Sequence, residues 1–105
     1  MSAAGSRWMG LVARVPCVLC AYMGLGDSPS EVHHMKFSTG ASDRASDYTT
    51  IALCVRHHRV EYPDSVHALK EKGLRLRYNV SEIDLLAMTI EGVNNLLYEA
   101  GLRRV

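Results

Sequence analysis

Four residues with the spacing of a zinc site constrain the fold of this chain more than any other feature. Cys17 and Cys20 are separated by two residues, and Cys54 and His57 repeat that gap. Three Cys and one His make a complete tetrahedral ligand set for Zn²⁺, with no position left open for chemistry. The alternative, three isolated structural cysteines and an incidental histidine, leaves the matched spacing unexplained. We therefore predict a structural zinc, which contributes on the order of 10 kcal/mol or more to the folding of small domains.

The length and composition predict a single domain in a reducing compartment. A chain of 105 residues fits one domain with a modest hydrophobic core. The odd number of cysteines and the lack of a secretory signal argue against a disulfide framework, so we predict a cytoplasmic protein. No apolar run approaches the roughly 20 residues needed to cross a bilayer, so no membrane partner is predicted. The net charge is only +1, so a surface for nucleic acid must come from local clusters of cations.

The middle of the chain carries strand signals followed by helix signals. Residues 31–37 and 48–54 are short runs on either side of a small, polar segment, and both are predicted strands. Residues 55–62 begin a helix that a proline interrupts. Residues 65–73 resume helical spacing and are predicted to stop at Gly73. The pattern therefore predicts two short strands followed by an interrupted helix.

The last segment has the clearest helix pattern of the chain. Ser81 is followed by acidic residues, as is typical of a helix N-terminus, and Gly101 supplies the stop. Apolar residues recur between them at helical spacing: Ile83, Leu86, Ile90, Val93 and Leu97. We predict a helix that covers the core or forms a dimer contact, so the chain is expected to be a monomer or a dimer.

Two histidine pairs lie beside the zinc ligands, and only His57 belongs to the zinc set. Adjacent side chains of a strand point to opposite faces. One of His33 and His34 can therefore bind a metal while the other faces a phosphate. His58 directly follows a zinc ligand, so the zinc would fix its backbone. His67 can approach the same region if the chain turns back at the intervening proline.

The order of these motifs resembles the HNH (ββα-metal, His-Me finger) endonucleases, and within them it is most similar to the recombination-enhancement (Ref-like) nucleases of phages and prophages. The match runs from about residue 14 to 78 and consists of Cys17-x2-Cys20, Val32-His33-His34, Ser46-Asp47, Leu53-Cys54-x2-His57-His58 and Val66-His67-Ala68-Leu69. The resemblance implies an α+β fold, a small zinc-stabilised ββα-metal domain with an additional C-terminal helix. It implies one domain over 1–105, with a lead-in over 1–14, the zinc knuckle and ββα-metal core over 15–73, and the helix over 81–101.

The resemblance also implies a role for each histidine outside the zinc set. His34 is the expected general base, and Asp47 either orients it or ties down the loop. His33, His58 and His67 are the expected ligands of a catalytic divalent cation (Mg²⁺, Mn²⁺, Ni²⁺ or Zn²⁺). Because His33 stands where an aspartate is commoner in such enzymes, a softer ion than Mg²⁺ is favoured.

The implied activity is that of a metal-dependent DNA endonuclease or nickase in phage or prophage recombination, in the cytoplasm of a bacterial host. Its expected partners are single- or double-stranded DNA and a recombinase filament. Four cationic side chains are candidates for phosphate contacts: Arg56, Arg59, Lys36 and Arg44. Two alternatives without catalysis stay open. One is a zinc-dependent nucleic-acid-binding module, and the other is a protein-interaction domain that uses the last helix as its contact.

Overall fold

A computed structural model describes residues 3–35 and 46–101, and within them the fold is α+β. It combines one two-stranded sheet with several helices, as predicted. In chain order the elements are α1 (Ala3–Val12), α2 (Val18–Tyr22), β1 (Glu31–His34), β2 (Thr50–Leu53), α3 (Val55–His58), α4 (Val66–Tyr78) and α5 (Glu82–Glu99). In this part of the chain, no helix has the length and apolar character needed to cross a membrane.

The two strands pair in antiparallel fashion and form the centre of the fold. Glu31 lies opposite Leu53, and His34 lies opposite Thr50. All four residues of β2 are buried, because α1, α2 and α5 pack against this strand. Both strands lie within the predicted segments and are shorter than them.

Helix α5 satisfies the backbone of β2 through one buried hydroxyl. The backbone N–H of Ala52 donates to Oγ1 of Thr89 at 3.3 Å, and this hydroxyl in turn donates to the carbonyl oxygen of Leu85 at 2.9 Å. An unpaired N–H in the interior would be costly, so this contact explains a polar residue on the buried face of a helix. The last helix is thereby fixed to the strand that leads into Cys54.

The predicted helix stop at Gly73 is wrong, because α4 continues to Tyr78. The irregularity lies instead at Lys70, where the backbone has a φ of 59° and a ψ of −175°. A Cβ at Gly73 would lie only 3.0 Å from Cβ of Leu69, so the glycine gives room for the close approach that the kink creates. The helix ends at Tyr78 and is followed by Asn79, a residue that tolerates the left-handed conformation seen there (φ 58°).

Ser81 caps α5 as predicted, and the buried face of the helix includes part of the predicted stripe. The Ser81 hydroxyl accepts from the backbone of Asp84, whose carboxylate accepts from the backbone of Ser81. The fully buried positions are Leu85, Thr89 and Val93, whereas Ile83 is exposed. Val93 and Leu97 of the predicted stripe are buried, whereas Ile83 does not pack on the core. The bond from Ala52 to Thr89 places Thr89 on the same buried side.

We expect Gly92→Ala to destabilise the fold by about 1–3 kcal/mol through overpacking. A Cβ at this position of α5 would lie 2.6 Å from Cγ1 of Val15, a buried and stiff β-branched side chain. Urea unfolding of the purified protein measures the change in the free energy of unfolding.

Gly10→Ala is the matched control for this substitution, since a Cβ there meets nothing within 4 Å. Because Gly10 lies inside helix α1, alanine should stabilise the fold by about 0.5–1 kcal/mol. Equal effects of the two substitutions would refute the close packing of α5 on the segment after α1.

Candidate metal centres and active site

The four residues with zinc spacing converge on one point of the structure. Nδ1 of His57 lies 3.6 Å from the sulfur of Cys17 and 3.4 Å from each of the other two sulfurs, and the sulfurs of Cys20 and Cys54 are 3.8 Å apart. Ligands about 2.0–2.3 Å from one tetrahedral zinc lie about 3.3–3.8 Å from one another. The cluster could therefore bind a metal such as zinc, and its donor atoms fit that ion.

Local structure holds the two halves of this cluster. Cys17 caps the short helix α2, and its sulfur accepts from the backbone N–H of Cys20 at 3.4 Å. Cys54 follows β2 and directly precedes α3, which carries His57. Burial raises the pKa of the Cys17 thiol to about 12, so a thiolate at this position needs a cation beside it. Burial also lowers the pKa of His57, which favours the neutral ring that a metal ligand requires.

A second group of potential ligands consists of His33, His58 and His67. One nitrogen from each ring lies within 4.8 Å of the others, and the ring centroids are 4.7–5.3 Å apart. His33 is buried, His58 is half-buried and His67 is exposed, so the group opens to solvent on one side. Three protein ligands with an open side are typical of a catalytic metal site, in contrast to the closed set of four.

Three separate elements bring these histidines together. His33 lies on β1, His58 is the last residue of α3, and His67 lies in the first turn of α4. The chain turns back between α3 and α4, and the Ser65 hydroxyl caps α4 by accepting from the backbone of Ala68 at 3.1 Å. The chain thus has the turn that was needed for His67 to approach the other two histidines.

The other histidine of the first pair lies on the opposite face of β1. His34 is exposed, and its Nε2 lies 3.1 Å from Oδ1 of Asp47. Asp47 belongs to a turn before β2 in which the Thr50 hydroxyl donates to the Asp47 carbonyl oxygen at 3.0 Å. The structure therefore brings Asp47 to His34.

Glu31 contacts two of the predicted site residues and was not itself among them. Its Oε1 lies 2.9 Å from Nδ1 of His58, and both of its oxygens pair with Arg59. Hydrogen bonds from Arg59, the larger effect, and from His58 lower the pKa of Glu31 to about 2. The carboxylate is therefore charged at neutral pH. Strand periodicity could have found this residue, because Glu31 and His33 share a face of β1.

Glu82 is a second carboxylate that the sequence analysis missed. Its Oε2 lies 3.4 Å from Nε2 of His33, although the two residues are 49 positions apart. No spacing rule connects the first residue of α5 with β1. The contact arises only because α5 packs on the sheet.

The two predicted phosphate-binding arginines in the described residues each have an acidic partner. Nε of Arg56 donates to Asp64 at 2.9 Å, while its side chain stays 70% exposed. Arg59 pairs with Glu31 and is 49% exposed. The other two predicted contacts, Lys36 and Arg44, lie outside the described residues.

The fold and the two ligand groups define a small α+β protein with two candidate metal centres. Residues 2–93 match the family model described as recombination enhancement, RecA-dependent nuclease. The chain therefore belongs to this family of nucleases, and the family implies nucleic acid and the RecA pathway as its setting. No curated protein and no solved structure matches the chain significantly.

Proposed function

We propose that this chain is a metal-dependent DNA endonuclease or nickase of the HNH (ββα-metal) type that acts in RecA-dependent recombination. One observation carries the proposal. The adjacent His33 and His34 lie on opposite faces of β1, one in a group of three histidines and the other exposed beside a carboxylate. A metal ligand next to a base is what phosphodiester hydrolysis at a single metal requires.

His34 is the proposed general base. Its Nε2–H donates to Asp47, which leaves Nδ1 as the atom that takes a proton from the attacking water. The side chain is 40% exposed, so water can reach it. Asp47 holds the ring in this tautomer and stabilises the imidazolium that forms, as carboxylates do beside catalytic histidines.

The proposed catalytic cation binds to His33, His58 and His67. When bound, it would polarise the phosphate and stabilise the charge that develops on the leaving oxygen. Neutral imidazole donors favour Zn²⁺ or Ni²⁺ over Mg²⁺. Cys17, Cys20, Cys54 and His57 are proposed to hold a separate structural zinc, which fixes the backbone of His58.

The exposed guanidinium groups of Arg56 and Arg59 are proposed to contact the DNA backbone. Each guanidinium has five N–H donors, and an acidic partner uses only part of them. Their carboxylate partners orient the two groups and reduce the local positive charge. We therefore expect these arginines to contribute to DNA affinity and not to the chemical step.

We expect His58→Ala to lose one of two bound metal ions and at least about 100-fold in cleavage rate, because the catalytic ion loses one of three ligands. The assay uses supercoiled plasmid and circular single-stranded DNA, with and without RecA, and with Mg²⁺, Mn²⁺, Ni²⁺ or Zn²⁺. Elemental analysis counts the ions per chain.

Val60→Ala is the control for this variant, because this exposed side chain lies two residues from His58 and outside both ligand groups. It should keep both ions and full activity. Wild-type protein that binds DNA but cleaves none of these substrates with any of the metals would favour a binding module over an enzyme. His58→Ala protein with two ions and full activity would refute the proposed site.

A further inference from the structure

The three-histidine group is bordered by two carboxylates that lie outside it. Glu31 contacts Nδ1 of His58 at 2.9 Å, and Glu82 lies 3.4 Å from Nε2 of His33. Neither carboxylate belongs to the set of donor atoms that lie within 4.8 Å of one another. Each carboxylate therefore contacts one histidine of the group but does not itself belong to the group of candidate ligands.

One nitrogen of His33 has no hydrogen-bond partner in the part of the chain that the structure describes. Nδ1 of this ring is buried and has no hydrogen bond among the described residues, whereas its Nε2 faces Glu82. A carboxylate beside Nε2 favours the tautomer with the proton on that nitrogen. Nδ1 then carries a lone pair that is buried and accepts no hydrogen bond among the described residues. A buried polar atom without a partner is unfavourable unless a cation or another group satisfies it.

The position of Glu82 is fixed by the helix that carries it. It is the first residue of α5, directly after the Ser81 cap, and its backbone N–H donates to Oε1 of Glu71 at 3.1 Å. The same helix is attached to β2 through Thr89. The backbone that carries the Glu82 carboxylate is therefore fixed beside β1.

We propose that Glu82 is a positioning residue for the catalytic metal: it accepts the Nε2–H of His33 and makes Nδ1 of this ring the metal ligand. Glu31 has the same role for His58: it accepts the Nδ1–H of this ring, so that Nε2 of His58 is the metal ligand. Carboxylates that accept the second N–H of a metal-binding histidine fix its tautomer and raise its basicity. This inference rests on the proposed function, because it assumes that the three histidines bind an ion.

The first test compares Glu82→Gln with Asp84→Asn in the full-length protein loaded with its structural zinc. Titration of Zn²⁺ against a chromogenic chelator measures the affinity of the second site. Glu82→Gln should weaken it by about 10- to 100-fold, since the neutral amide is a poorer acceptor. Asp84→Asn also removes a carboxylate from the first turn of α5, but Asp84 bonds to Ser81 and not to His33, so the affinity should stay within about twofold.

A spectroscopic measurement separates positioning from a purely structural effect. Long-range ¹H–¹⁵N NMR of ¹⁵N-histidine-labelled, zinc-loaded protein identifies the metal-bound nitrogen of each ring. We expect Nδ1 for His33 and Nε2 for His58 in the wild type. Zinc on Nε2 of His33, or wild-type affinity in Glu82→Gln, would overturn the inference alone. A wild-type chain that binds no second ion would overturn the proposed catalytic site, and this inference with it.

Discussion

Replacing His34 with alanine should reduce the rate of DNA cleavage by about 10²- to 10⁴-fold, the usual contribution of a general base. The metal content should stay at two ions per chain, because His34 lies on the face of β1 opposite the three-histidine group. A nicking assay under single-turnover conditions measures the rate, and elemental analysis measures the metal. This combination distinguishes the base from the ligands, since the loss of a ligand such as His58 changes both quantities.

Tyr48→Phe is a suitable control for this experiment. Tyr48 follows Asp47 in the same turn and is half-exposed, so the variant removes a hydroxyl from this turn without changing His34 or Asp47. Its cleavage rate should match the wild type. Undiminished cleavage by His34→Ala would show that another group removes the proton from the attacking water. It would refute the assignment of His34 as the general base.

Replacing Cys54 with serine should largely unfold the protein. The substitution removes one of four ligands from a cluster whose zinc would contribute about 10–16 kcal/mol, whereas the net stability of a domain is only about 5–15 kcal/mol. We expect loss of the structural zinc and a fall in melting temperature of roughly 20 °C or more. Circular dichroism and zinc analysis of the same samples check both expectations.

Ser28→Ala tests the surroundings of this cluster without removing a ligand. The Ser28 hydroxyl donates to the sulfur of Cys20 at 3.5 Å, a weak contact at the edge of the cluster. Its loss should cost about 1 kcal/mol or less and leave the zinc bound. A folded Cys54→Ser protein that keeps its full zinc content would contradict the proposed structural site.

The four zinc-spaced residues could be found from the sequence because their geometry is local. A gap of two residues is enough to bring Cys17 and Cys20 to one point, and the same holds for Cys54 and His57. The opposite directions of His33 and His34 were also predictable, because side chains alternate along a strand. Each of these predictions depends only on the backbone geometry of a few consecutive residues.

Helix packing was less predictable than the zinc spacing. Glycine is typical of the residue that ends a helix, yet Gly73 lies inside α4. Its missing side chain leaves room for Leu69 beside the kink at Lys70. The pattern of apolar residues in α5 identified part of its buried face, Val93 and Leu97, but it included the exposed Ile83 and omitted Thr89. In α5 a contact with the distant strand β2 decided which polar residue is buried, whereas in α4 the glycine accommodates a neighbour one turn away.

The sequence by itself determined which residues can bind a metal and that the histidines divide into two groups. It also indicated the family, which the match over residues 2–93 confirms. Only the tertiary structure decided that His67 reaches His33, and that Glu31 and Glu82 contact the histidine group. The physical reason is distance along the chain: spacing specifies contacts within a turn or a strand, whereas these contacts join β1 to residues of α3, α4 and α5.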